Sequence, residues 1–79
     1  MTLEITIVDR EGRHEDAGPF TIEVSEAEAD TVRRYAKASF GKLVDALSAI
    51  DDDRPDTAVG DLMEAVEAFG DGAELEITE

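Results

Sequence analysis

The sequence has no cysteine and no tryptophan, two prolines, one histidine, one tyrosine, and only two lysines, Lys37 and Lys42, in 79 residues. Without cysteine there is neither a disulfide framework nor a thiolate zinc site to reinforce a small fold. A chain of this length forms a single domain over residues 1–79 and buries roughly 60 to 65% of the surface exposed by its unfolded form. Its stability is expected to be modest, on the order of 4 to 12 kcal/mol. Apolar packing has to supply it. No stretch approaches the roughly 18 apolar residues of a membrane span, and Met1-Thr2-Leu3-Glu4 carries no basic leader pattern, so a cytoplasmic protein with no membrane contact is expected.

What is abundant is negative charge. Twenty-one acids face seven bases, a net charge of −14. The acids run through every segment and alternate with patterned apolar residues, which argues for a folded body rather than a disordered one. In dilute buffer such charge repels itself and opposes folding. Near 1 M salt the screening length falls to about 3 Å and most of the penalty disappears. Abundant Asp and Glu, scarce Lys and absent Cys together resemble the proteome bias of halophiles that accumulate salt inside the cell. The acidity is therefore read as adaptation to solvent before it is read as a cue for a basic partner.

Three segments follow the two-residue period of a strand with one buried face. Leu3, Ile5 and Ile7 alternate with Thr2, Glu4 and Thr6; Phe20, Ile22 and Val24 alternate with Thr21 and Glu23; Leu75 and Ile77 alternate with Glu74, Glu76 and Thr78. The polar stretch from Asp9 to Gly18 lies between the first two, which predicts a hairpin with a long, mobile connection.

Two helices are predicted. Ser25 followed by Glu28 has the spacing of a capping box. From there Val32, Ala36, Phe40, Leu43, Leu47 and Ile50 recur at three- and four-residue intervals, with Tyr35 and Val44 widening the stripe. The acidic run Asp51-Asp52-Asp53-Arg54-Pro55-Asp56 interrupts the pattern and offers Asp53 or Asp56 as the next N-cap. Val59, Leu62, Met63, Val66 and Phe69 form a second stripe that stops at Gly70. One helix from Ser25 to Ile50 would be roughly 39 Å long, against about 17 Å for a five-residue strand. Either Gly41 breaks it or it overhangs the sheet, and an overhanging apolar stripe invites a second copy of the chain.

Few residues offer chemistry. His14 stands in a polar segment, Arg13-His14-Glu15-Asp16, with no serine in a nucleophile context. Ser25 is taken up as a cap, and Ser39 and Ser48 fall within helical turns. A calcium loop counted from Asp53 would place Pro55 third and Ala58 sixth, which breaks the required pattern. Gly70-Asp71-Gly72 follows a helix and precedes a strand, the reverse of a phosphate loop. No catalytic, cofactor-binding or metal-ligating residue is therefore assigned, and the chain is expected not to be an enzyme. The one departure from the acidic background is Arg33, Arg34, Lys37 and Lys42, four of the seven bases within ten positions. They are the candidate partner-binding residues, competing with simple pairing to Asp30 and Asp45.

The order hairpin, helix, helix, strand partly resembles the β-grasp architecture of ubiquitin-like proteins. Modifiers and sulfur carriers of that class end in Gly-Gly, whereas this sequence ends Glu76-Ile77-Thr78-Glu79, so the resemblance does not imply carrier chemistry. The expected fold is α+β in two layers, order ββααβ: a three-stranded sheet with a helical hairpin on one face. After an out-and-back helix pair, the last strand is expected to run parallel to the first. The expected function is a small binding or assembly module that forms a homo-oligomer or takes a protein partner, through a sheet edge or the helix overhang. The alternative is a regulator touching nucleic acid or a transcription component through the basic positions, which net repulsion disfavours.

Overall fold

The computed structural model describes all 79 residues. β1 (Thr2–Asp9) and β2 (Ala17–Glu23) form the expected hairpin, three helices follow, α1 (Glu26–Ala38), α2 (Phe40–Asp53) and α3 (Thr57–Phe69), and a short 3-10 turn leads into β3 (Ala73–Thr78). The sheet order is β2-β1-β3, with helices on one face, so the α+β plan is as expected.

The predicted first helix is two helices, and the break lies at Ser39 rather than Gly41. Ser39 adopts extended geometry (φ −158°, ψ 118°), its N–H closes α1 on the Tyr35 carbonyl, and its hydroxyl accepts from the Lys42 N–H to open α2. One serine thus serves as C-cap and N-cap at once. Gly41 sits inside α2, with open space where a side chain would be. Each piece, of 13 and 14 residues, is then about 20 Å long, which matches the sheet. The expected overhang does not exist.

The break also reverses the last strand. β2 ends beside Met1, and α2 returns to that end, where the Arg54 guanidinium bonds Glu28 at 2.6 Å and reaches the Glu23 carbonyl. α3 then crosses the domain again and delivers the chain to the far end of β1. β3 therefore pairs antiparallel with β1, from Asp9↔Ala73 to Glu4↔Thr78. The parallel placement expected for it followed from counting two helices. With three crossings the direction inverts, and the likeness to the β-grasp rests on element order alone.

The capping box is present, Ser25 accepting from the Glu28 N–H and Glu28 from the Ser25 N–H. Asp56, not Asp53, caps α3 by accepting from the Ala58 N–H at 2.9 Å, while Asp53 closes α2. Between the layers lie the fully buried Leu3, Ile5 and Ile7 of β1, Ile22, and Val32, Leu47 and Leu62 of the three helices, with Val24 and the rest of the helix stripes buried or partly buried around them. The opposite face of the sheet is mostly Thr and Glu, with Val8 beside Glu74. β2 carries an irregularity opposite Ile5 and Ile7, and Gly18 takes φ +114° there. A Cβ at that position would stand 2.9 Å from the Ile5 carbonyl oxygen, so only glycine fits.

The β1–β2 connection, expected to be mobile, is pinned. Asp9 falls on the inward parity of β1, and a carboxylate there has to be satisfied. Its two oxygens accept from the N–H groups of Glu11 at 2.8 Å and of Arg13 and His14 at 3.0 Å each. The Glu11 N–H contributes most to holding the Asp9 carboxyl below the usual carboxylate range; partial desolvation opposes this, and the Arg13 and His14 bonds add to it. His14 then lies against Phe69, ring centroids 5.1 Å apart.

Candidate binding edge

A three-stranded sheet leaves two edges, and here they differ. In antiparallel pairing, successive residues point their backbone groups alternately to one neighbour and to the other. Val24 and Met1 bond each other, as do Arg10 N–H and the Gly72 carbonyl. These contacts set the phase: the odd residues of β1 serve β2 and the even ones serve β3. On β2 the outward groups belong to Pro19, Thr21 and Glu23. Proline has no N–H to offer, and the irregularity at Gly18 blunts that edge further.

On β3 the outward residues are Ala73, Leu75 and Ile77. The Ala73 N–H is already given to the Gly70 carbonyl. Leu75 and Ile77 retain both N–H and C=O, and no side chain hydrogen-bonds them. Their side chains lie half-buried on the helix face. Those of Glu74, Glu76 and Thr78 lie exposed on the other. No Lys or Arg occurs in any strand, and none of the ion pairs of the chain involves Glu4, Glu23, Glu74 or Glu76. The charges the strands place on the open face are therefore all negative.

Beside this edge a cleft of about 350 Å³ opens between β3 and the α1–α2 junction. Ala36, Phe40, Leu43 and Leu75 give it apolar walls; Arg10 and Lys37 contribute the cations. Arg10 donates to the Asp71 carbonyl at 3.0 Å, and Lys37 has no ion-pair partner. The helix break makes the cleft, because α1 stops at Ala38 and α2 starts in a new direction.

The four basic positions singled out in the sequence do not share one face. Arg33 is ion-paired with Glu79 and lies 3.6 Å from Asp30. Lys42 belongs to α2, where its ammonium stands 5.7 Å from the Tyr35 ring centroid, and Asp45 pairs with neither. Arg34 is exposed and unpaired, and Lys37 joins the cleft. Arg54 is the cation with structural work, since its hydrogen bond to Glu28 raises its own pKa; the Glu28 carboxyl is held low, first by the Ser25 N–H and then by Arg54. Sequence reasoning missed Asp9 and Arg10. The parity of β1 was the available signal for Asp9; nothing local marks Arg10.

A hollow at the α2–α3 turn is lined by Asp51, Asp56, Asp61 and Glu64, yet no three His, Asp or Glu side chains converge as metal ligands. No helix is long and apolar enough to cross a membrane. Compared with protein-family models, curated proteins and solved structures, the chain matches none of them.

Proposed function

We propose that this chain is a small non-enzymatic binding module whose binding surface is the free edge of β3, where an extended segment joins the sheet as a fourth strand. The observation that carries this reading is the pair of unused N–H and C=O groups at Leu75 and Ile77, on a regular edge with neither proline nor bulge. Strand addition draws affinity from such main-chain groups and specificity from pockets for alternate side chains, and the adjoining cleft has that position. His14 packed against Phe69, and Ser25 and Ser39 committed to helix caps, support a binding role over a catalytic one.

The basic positions support nucleic-acid contact less well, because Arg33 is neutralised and Lys42 lies on a different helix. Self-association remains compatible with the β3 edge alone, the overhang being absent. It sets Glu74 and Glu76 of one copy against those of another, so it belongs to molar salt, where like charges are screened.

The test is amide hydrogen exchange with an uncharged hexapeptide of alternating threonine and valine. Addition should slow exchange at Leu75 and Ile77, while the same peptide N-methylated at every residue leaves both unchanged. Unaltered exchange at saturating peptide refutes the edge as a binding surface. Ile77→Pro serves as a second arm: it removes an outward donor and no bond to β1, at the cost of the half-buried Ile77 side chain; with the fold verified by circular dichroism, peptide protection at Leu75 should be lost.

A further inference from the structure

Resting on the strand-addition reading, we infer that the segment received by β3 is basic and apolar in alternation, an extended stretch in which every second residue is Lys or Arg and the residues between are aliphatic or aromatic. Its chemistry follows from what each face of β3 presents to a neighbour one strand away.

On the solvent face, residues opposite Glu74 and Glu76 meet carboxylates that form no ion pair within the chain, although Arg10 and Lys37 line the cleft next to Glu74. Opposite charges across paired strands attract, and like charges repel. The next strand inward adds Glu4 beside Thr78, Thr6 beside Glu76 and Val8 beside Glu74, so on this face the strands bring carboxylates and no cation to the edge, and the bases beside Glu74 are Arg10 and Lys37 of the cleft. Lysine or arginine at these positions gains from those carboxylates; a second copy of this chain, which offers only Glu and Thr from its own β3, does not.

On the helix face, residues opposite Ala73, Leu75 and Ile77 point towards the helix layer, as those three side chains do. The cleft beside Leu75 takes the first of them, with Phe40 and Ala36 as apolar contacts. The alternation required of the partner is thus the complement of β3 on one face and its continuation on the other.

The experiment titrates the intact chain with three synthetic hexapeptides: alternating lysine and valine, alternating glutamate and valine, and a scrambled lysine–valine peptide of the same charge. Amide exchange and chemical shifts at Leu75 and Ile77 report the site. The expected result is protection by the alternating lysine peptide only, with affinity falling on the order of tenfold in Glu74→Lys/Glu76→Lys. The glutamate peptide should gain in that variant. Equal protection by lysine and glutamate peptides overturns the basic preference while leaving the edge as the binding surface. Equal shifts from the scrambled peptide, located away from Leu75 and Ile77, overturn it as unspecific attraction to an acidic protein. If the chain alone becomes protected at Leu75 and Ile77 in 2 M KCl and no peptide displaces it, the occupant is a second copy and the proposal fails.

Discussion

Ser39→Ala and Gly41→Ala, made in separate chains, should shift stability in opposite directions, although only Phe40 separates the two positions. Losing an N-cap hydroxyl costs about 0.5 to 2 kcal/mol. The 3.4 Å separation between the Ser39 hydroxyl and the Lys42 N–H is long for such a bond, which places the cost near the lower end, about 0.7 kcal/mol. For a domain of this size 1 kcal/mol moves the melting temperature by roughly 4 to 8 °C, so Ser39→Ala should melt about 3 to 6 °C lower. Gly41 lies within α2, and a methyl group added there would meet no neighbouring atom, so alanine should stabilise the helix by about 0.5 kcal/mol. Its melting temperature should rise by about 2 to 4 °C. Ser39→Asp, which keeps an acceptor and adds favourable charge at the helix start, should stay close to the parent. Thermal melts followed by far-ultraviolet circular dichroism at one salt concentration give all three values. Loss of stability in Gly41→Ala with a neutral Ser39→Ala would place the hinge at the glycine and refute the two-helix account of residues 26–53.

Two further outcomes follow from the carboxylates. The folded chain holds the Asp9 carboxyl below its ordinary range, so its contribution is complete above the unfolded pKa and is lost as pH falls through the lower, folded value. Asp9→Asn leaves one oxygen to serve N–H groups now shared between two; urea midpoints measured from pH 3 to 7 should be lower than the parent's at neutral pH and should converge with them in acid, and parallel curves would remove Asp9 as the anchor of the β1–β2 connection. Raising KCl from dilute to molar should increase the melting temperature of the parent chain, because the net charge of −14 is screened; a flat response would separate the acidity from any effect of solvent.

Much of the architecture is legible in the residues. Strict alternation at Leu3, Ile5 and Ile7, and again at Leu75 and Ile77, identifies strands because no other period fits, and Ser25 with Glu28 gives the start of α1. The break at Ser39 escapes for a physical reason: Val32, Ala36, Phe40, Leu43 and Leu47 keep helical spacing across it, since both helices turn their apolar stripes to the same interior. Only the mismatch of lengths betrays it. Lys42, standing where a capping-box glutamate would be, removes the usual second signal. That one omission propagates, because the direction of β3 depends on whether the number of crossings is even or odd. The free edge of β3 is half legible: which side chains face solvent is written in the alternation, whereas which backbone groups are spent on β1 depends on a pairing phase that distant residues set.

The antiparallel return of β3 brings both extremities of the chain to a common pole of the domain, with Thr78 beside Glu4 and Met1 beside Val24. A short tether could link them, and the domain could be spliced into a host protein's loop with little disturbance. At the opposite pole stand the Asp9-anchored connection and the cleft, free to face whatever approaches.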